Sequence, residues 1–248
     1  MLILLPPSES KATRSRGSAL RWDGLSCAEL TSARQSVAAA LAQVSRGEYA
    51  SEVLGVSPNL GEEIARNTRL AQAPTLEARD LYTGVLYDAL DLPGLDSPAR
   101  RRATSRLRVV SALYGVVRMT DRLAPYRLSM AVTLPEVGRL ASFWKPHLEP
   151  VLTAEAGAGL VIDCRSSTYA AAWVPTGSAT ERWVQVRVPG ATHMAKHTRG
   201  LVARALCVNA ADPRRPEAMV EILAERFEVE LHAPQRIGRP WILDVQPA

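Results

Sequence analysis

The chain has 248 residues, 47% hydrophobic and 22% charged, the composition of a soluble globular protein long enough to bury a substantial core. Its three cysteines, Cys27, Cys164 and Cys207, are odd in number, far apart and without paired spacing, which excludes a disulfide framework or a zinc ribbon and points to a reducing compartment. The opening Met-Leu-Ile-Leu-Leu has no basic leader and is too short for a signal peptide or a membrane span, so a cytoplasmic protein is expected; the net charge of +5 suits an anionic partner.

Residues 2–5 form an apolar run ended by Pro6 and Pro7, as expected of a buried strand that empties into a loop carrying Ser8, Glu9, Ser10 and Lys11. Ser26 and Glu29 have capping-box spacing before a helix reaching about Val44. Two shorter helices are expected to flank Gly55 to Leu60, and another to run from Thr75 to about Leu90. Ser97-Pro98 reads as the start of a basic helical segment, followed by a buried strand over Leu107 to Leu113 and a loop over 114–135. A helix around 140–155, a strand over Leu160 to Cys164, a polar loop and an alternating strand over Trp183 to Val188 come next. A helix of roughly 195–210, another near 216–227 and strands near 228–231 and 241–245 close the chain. No linker or repeat divides these elements, so residues 1–248 are expected to form a single compact α/β domain with a mixed central sheet covered by helices. The strands near 2–5, 107–113, 160–164 and 183–188 are expected to share that sheet, because short apolar runs suit strands buried on both faces.

Thirty residues are lysine or arginine, yet only Lys11, Lys145 and Lys196 are lysine. In so arginine-rich a chain, surviving lysines either mark sites that need a compact, titratable ammonium, which a guanidinium cannot supply, or are a random remnant of skewed composition. Lys11 and Lys196 lie in polar segments and are expected to meet in one cleft as candidates for proton transfer together with Tyr114. Lys145, beside Trp144 on an expected helix, reads as a surface residue.

Four further segments carry chemistry. Leu54-Gly-Val-Ser-Pro-Asn-Leu-Gly61 has the form of a helix-hairpin-helix turn around Gly55, whose free backbone N–H groups would hold a phosphate; an ordinary helix–helix connection fits the same residues. Leu107 to Leu128 places Tyr114, Arg118, Tyr126 and Arg127 after a strand, where α/β folds bind ligands, or where they would form a buried network that pins the loop. His193 and His197 are four apart but lack the glutamate of a zinc protease, so no metal is expected, and Lys196 with Arg199 on a first helical turn reads as an anion site or as a solvated basic turn. Ser166, Ser167 and Tyr169 follow a strand and could bind phosphate or sugar oxygens, with helix capping an equal reading, while no Walker loop, dinucleotide fingerprint or nucleophile elbow is present. The basic run Pro98 to Arg108 could follow a phosphate backbone or form a solvated face.

The segments Met1 to Lys11, Asp80-Leu-Tyr-Thr-Gly84, Leu113-Tyr-Gly-Val-Val-Arg118 with Pro125-Tyr-Arg127, Phe143-Trp144, Val161-Ile-Asp163 with Ser166-Ser-Thr-Tyr169, and Ala195-Lys-His-Thr-Arg-Gly200 resemble the YaaA peroxide-stress family in kind and order. The family's opening motif usually reads Ser-Pro-Ala-Lys, and Pro-Pro-Ser-Glu-Ser-Lys here adds a carboxylate. The resemblance implies a compact α/β fold with a positively charged cleft, a helix-hairpin-helix-like element, backbone-directed affinity for duplex or distorted DNA, and a role in limiting iron-driven oxidative damage; it names no cofactor. An enzyme acting on a phosphorylated or carboxylated small molecule or nucleotide in the same cleft is the alternative, and an interaction scaffold the third reading.

Overall fold

The four apolar runs lie side by side in the computed structural model, which describes residues 1–190 and 194–247. In chain order the strands are β1 (Leu2–Leu5), β2 (Leu76–Glu77), β3 (Leu107–Ser111), β4 (Gly115–Arg118), β5 (Arg122–Leu123), β6 (Thr133–Leu134), β7 (Gly138–Arg139), β8 (Val161–Asp163), β9 (Trp183–Arg187), β10 (Phe227–His232) and β11 (Trp241–Pro247). The helices are α1 (Thr31–Ser45), α2 (Ala50–Val53), α3 (Gly61–Arg66), α4 (Ala78–Leu81), α5 (Val85–Leu90), α6 (Ser97–Arg106), α7 (Leu140–Ala156), α8 (Ser167–Ala170), α9 (Met194–Val208) and α10 (Pro216–Ala224). Seven strands form the main sheet in the order β10-β11-β9-β8-β1-β3-β4. The five inner strands are mutually parallel, and antiparallel β10 and β4 close the edges. The described residues thus form one compact α/β fold, and none of their helices is long and apolar enough to cross a membrane.

Burial explains the sequence of the inner strands. Every residue of β1, β3 and β8 is buried, so apolar side chains are needed on both faces. Because these strands and β9 run the same way, the loops after Leu5, Ser111, Asp163 and Arg187 all leave at one edge of the sheet, where α/β folds hold ligands.

Several local expectations are corrected. The segment from Thr75 to Leu90 is not one helix: β2, α4 and α5 replace it, with a break at Tyr82-Thr83-Gly84. Tyr82 forms a backbone bridge to Lys11, and Gly84 takes a φ of +94°, which glycine adopts without steric cost. The Ser26–Glu29 capping box is absent, since the Ser26 amide and hydroxyl both donate to Asp121 Oδ1 at 3.0 and 2.7 Å. Residues 114–135 are not all loop, because β3 ends at Ser111 and turns back as β4. Ser111 Oγ accepts from the Leu113 and Tyr114 amides, and Gly115 follows at φ +71° with Trp144 against it.

The basic run has mostly structural work in α6. Arg102 donates to the carbonyls of Cys207 and Val208, Arg106 to those of Leu206, Asn209 and Ala211, and Arg100 to those of Pro93 and Leu95. These contacts tie α6 to the carboxyl end of α9 and the loop before α6. Arg101 remains exposed.

Candidate functional site

A cavity of about 490 Å³ opens at the carboxyl edge of the parallel strands. It is lined by the loop after β1, the turn after α2, the start of α5, Arg127 to Ser129, the loop after β8, and the first turns of α9.

Three contacts fix the loop after β1. The Tyr87 hydroxyl donates to Pro6 O at 2.7 Å, the Thr83 amide donates to Ser8 Oγ at 3.1 Å, and the Ala12 amide donates to Leu81 O at 2.9 Å beside the Lys11–Tyr82 bridge. Lys11 folds back from this frame, with Nζ 4.2 Å from the centroid of the Tyr126 ring and donating to the carbonyls of Ser8 (2.8 Å) and Glu9 (3.2 Å). Burial, followed by repulsion from Arg127, lowers the Lys11 pKa from 10.5 to about 7, against the opposing pull of Glu63 and Glu9.

Arg127 is held by Asn67 on both sides of its peptide unit. The Arg127 amide donates to Asn67 Oδ1 at 2.8 Å, and Asn67 Nδ2 donates to Arg127 O at 3.0 Å. The guanidinium then reaches Glu9 at 3.3 Å and Glu63 at 3.4 Å. Tyr126 lies beneath Lys11 and shares a hydrogen bond with Ser111 Oγ at 2.7 Å. Burial holds the phenols of Tyr82, Tyr114 and Tyr126 well above their ordinary pKa, which keeps them protonated.

The cavity therefore brings together Ser8, Lys11, Gly55, Arg127, Ser166, Lys196 and Arg199 among the residues singled out in the sequence. Lys196 is exposed and Arg199 partly buried, with its Nε donating to Val186 O at 3.3 Å. Three other candidates do not line it, Tyr126 being buried beneath Lys11 and the other two lying further off. Tyr114 is fully buried, exchanges hydrogen bonds with the backbone of Ala124 and packs edge-on against Tyr126, so it supports the loop without reaching the cavity. Arg118 pairs with Glu155 at 2.8 Å; the reversal of β4 sets it opposite Arg108, near the amino end of β3 and away from the cavity.

The Gly55 turn adjoins the cavity with φ +62°, but its amide donates to Glu52 O and that of Val56 to Ser51 O. Those two N–H groups are occupied within the turn. His193 lies outside the described residues, so the histidine pair has no described geometry. Among the described residues, no three His, Cys, Asp or Glu side chains are grouped to hold a metal ion.

The sequence reading missed Asn67, Tyr82 and Tyr87. Tyr82 lies in Asp80-Leu-Tyr-Thr-Gly84, but its role depends on backbone pairing with Lys11, which is distant in sequence and leaves no local signal. Asn67 has no local signal, since both of its contacts to Arg127 span 60 residues.

Parallel strands whose carboxyl-edge loops line a cavity of small-molecule size make this an α/β protein with a candidate site at the edge where such folds hold ligands. The chain belongs to the peroxide stress protein YaaA family, whose model matches residues 1–232. It is 47% identical over 254 aligned positions to UPF0246 protein SCO2297 of Streptomyces coelicolor, covering 99% of this chain and 98% of that protein. It is also 40% identical to UPF0246 protein CE1889 of Corynebacterium efficiens, over 90% of each chain.

Proposed function

We propose that the protein acts in peroxide-stress defence by binding DNA at a distorted site, holding one nucleotide unit through its phosphate and limiting iron-driven damage there. The observation that carries this reading is the presence of Lys11, Arg127, Lys196 and Arg199 around one cavity of about 490 Å³. That volume suits a small ligand or a displaced nucleotide, whereas a stacked base pair in an intact duplex has no comparable means of entering. Arginine can bind two phosphate oxygens at once, and Ser8, Ser129 and Ser166 add hydroxyls to the lining. This reading places the phosphate in the cavity and not on the face of α6, whose arginines are largely engaged with backbone carbonyls; in the cavity Arg127 is itself paired with Glu9 and Glu63, so a phosphate would compete with those carboxylates.

The test compares an intact duplex, a duplex with a one-nucleotide gap or bulge, and a mononucleotide over a range of salt. The distorted duplex is expected to bind at least tenfold more tightly than the intact one, with affinity falling linearly on a logarithmic salt scale. Binding that ignores ionic strength, or no binding at low salt, overturns the proposal.

The second reading is an enzyme acting on a phosphorylated or carboxylated small molecule in the same cavity. Its supporting observation is the Lys11 amine, which burial brings close to neutral pKa and which arginine could not replace as a base. Mononucleotide binding without any preference for DNA favours this second reading.

A further inference from the structure

Of the two lysines lining the cavity, Lys196 is exposed and Lys11 is partly buried. Lys11 is also the more restrained. Its backbone is paired with Tyr82, its ammonium has two carbonyl acceptors, and Nζ lies over the Tyr126 ring. An ammonium intended only to attract an anion gains nothing from desolvation, which works against its charge. A nucleophilic amine does gain, because it must lose its proton before its lone pair can attack.

We propose that Lys11 is a nucleophile that forms an imine with an aldehyde bearing a neighbouring phosphate. This inference rests on the reading that the cavity takes a phosphorylated ligand. Arg127, Lys196 and Arg199 line the same cavity as Lys11 and supply charge for the phosphate, Arg127 by exchanging its pairing with Glu9 and Glu63, while the Lys11 amine attacks the carbonyl. Restraint of Lys11 by its backbone and ring contacts reduces the entropy lost when the reacting atoms meet. Burial and Arg127 together make the neutral amine available near physiological pH.

The neutral Nζ attacks the carbonyl carbon, forming a C–N bond while the carbonyl electron pair moves to oxygen, which takes a proton. The carbinolamine hydroxyl, protonated from solvent, leaves as water to give the iminium, whose remaining nitrogen proton returns to solvent to leave the imine. Amine and aldehyde are thus converted to imine and water without an oxidant or reductant. Free sugar phosphates and the ring-opened sugar of an abasic nucleotide share the required chemistry, an aldehyde near a phosphate.

The experiment uses the full chain with glyceraldehyde 3-phosphate, with glyceraldehyde, and with a duplex containing one abasic nucleotide. Each mixture is reduced with borohydride and mapped by peptide mass spectrometry over the three lysines. The phosphorylated aldehyde is expected to label Lys11 at least tenfold above Lys145 and Lys196 in the wild type, and Lys11→Arg is expected to lose that label. Equal labelling of all three lysines, or none at Lys11, overturns the inference. The aldehyde source labelling Lys11 at least tenfold faster identifies the preferred substrate. Phosphate-sensitive reversible binding without a Lys11 adduct overturns imine formation while sustaining the anion site; equal Lys11 labelling by glyceraldehyde and its phosphate sustains the imine and overturns phosphate recognition.

Discussion

The Lys11 amine stands 4.2 Å from the centroid of the Tyr126 ring, and burial lowers its pKa to about 7. In the unfolded chain the same amine keeps its proton to about 10.5. Between these values the unfolded chain binds more protons, so stability rises with pH; below 7 the full cost of burying the charge is present. Relative to Lys11→Met, the wild type is expected to gain roughly 1 kcal/mol per pH unit between pH about 7 and about 9. Urea titrations at several pH values measure this, and a difference that does not change with pH would place the amine in water.

Tyr126 contributes both a hydroxyl and a ring face, and two substitutions separate them. Tyr126→Phe loses the Ser111 hydrogen bond and is expected to cost about 1 kcal/mol of stability while leaving the Lys11 titration in place. Tyr126→Leu removes the aromatic face that favours the ammonium, so the Lys11 pKa is expected to fall further. NMR titration of labelled lysine resolves the effect, since the chain has only three such side chains. Identical Lys11 titrations in the wild type and Tyr126→Leu would refute the ring's role.

Gly200 is required by the close approach of α9 to α5. A Cβ there would meet Leu86 O and lie 2.8 Å from Ala89 Cβ. Gly200→Ala is expected to destabilise the fold by about 1–3 kcal/mol and, by moving the start of α9 from the start of α5, weaken anion binding at Lys196 and Arg199. Thermal unfolding and phosphate titration check both effects.

The main sheet was legible because parallel strands buried on both faces require apolar runs, and Leu2 to Leu5 and Leu107 to Ser111 have them. The break at Tyr82 was not, since it depends on distant pairing with Lys11, which no local pattern announces. Ser8, Lys11, Ser166, Lys196 and Arg199 meet because parallel strands deliver their loops or following helix to one edge. Arg118 escaped the same logic because β4 reverses direction at Gly115, carrying it toward the other end of the sheet.

Asp163 closes β8 beneath that edge with a buried pair. Both of its oxygens bind the fully buried Arg165 guanidinium, at 2.8 and 2.7 Å, and one also accepts from the Trp183 indole. Asp163→Asn leaves a buried guanidinium without its counter-charge, and a loss of about 3–5 kcal/mol is expected in urea unfolding. A loss below about 1 kcal/mol would mean that water reaches Arg165 and relieves its charge.

Arg101 and Arg199 report separately on the face of α6 and on the cavity as places where cationic charge could meet a phosphate. Arg101 is exposed on α6, outside the cavity, whereas Arg199 lines it. Backbone contact along α6 would make Arg101→Ala weaken DNA binding, but the carbonyl bonds of Arg100, Arg102 and Arg106 leave α6 few cations free for phosphate. Arg199→Gln is therefore expected to reduce affinity for the gapped duplex about tenfold and lower the salt slope by about one, as loss of one phosphate contact does. Arg101→Ala is expected to change neither. Fluorescence anisotropy at several salt concentrations makes the comparison, and the reverse ranking would move the DNA contact from the cavity to the face of α6.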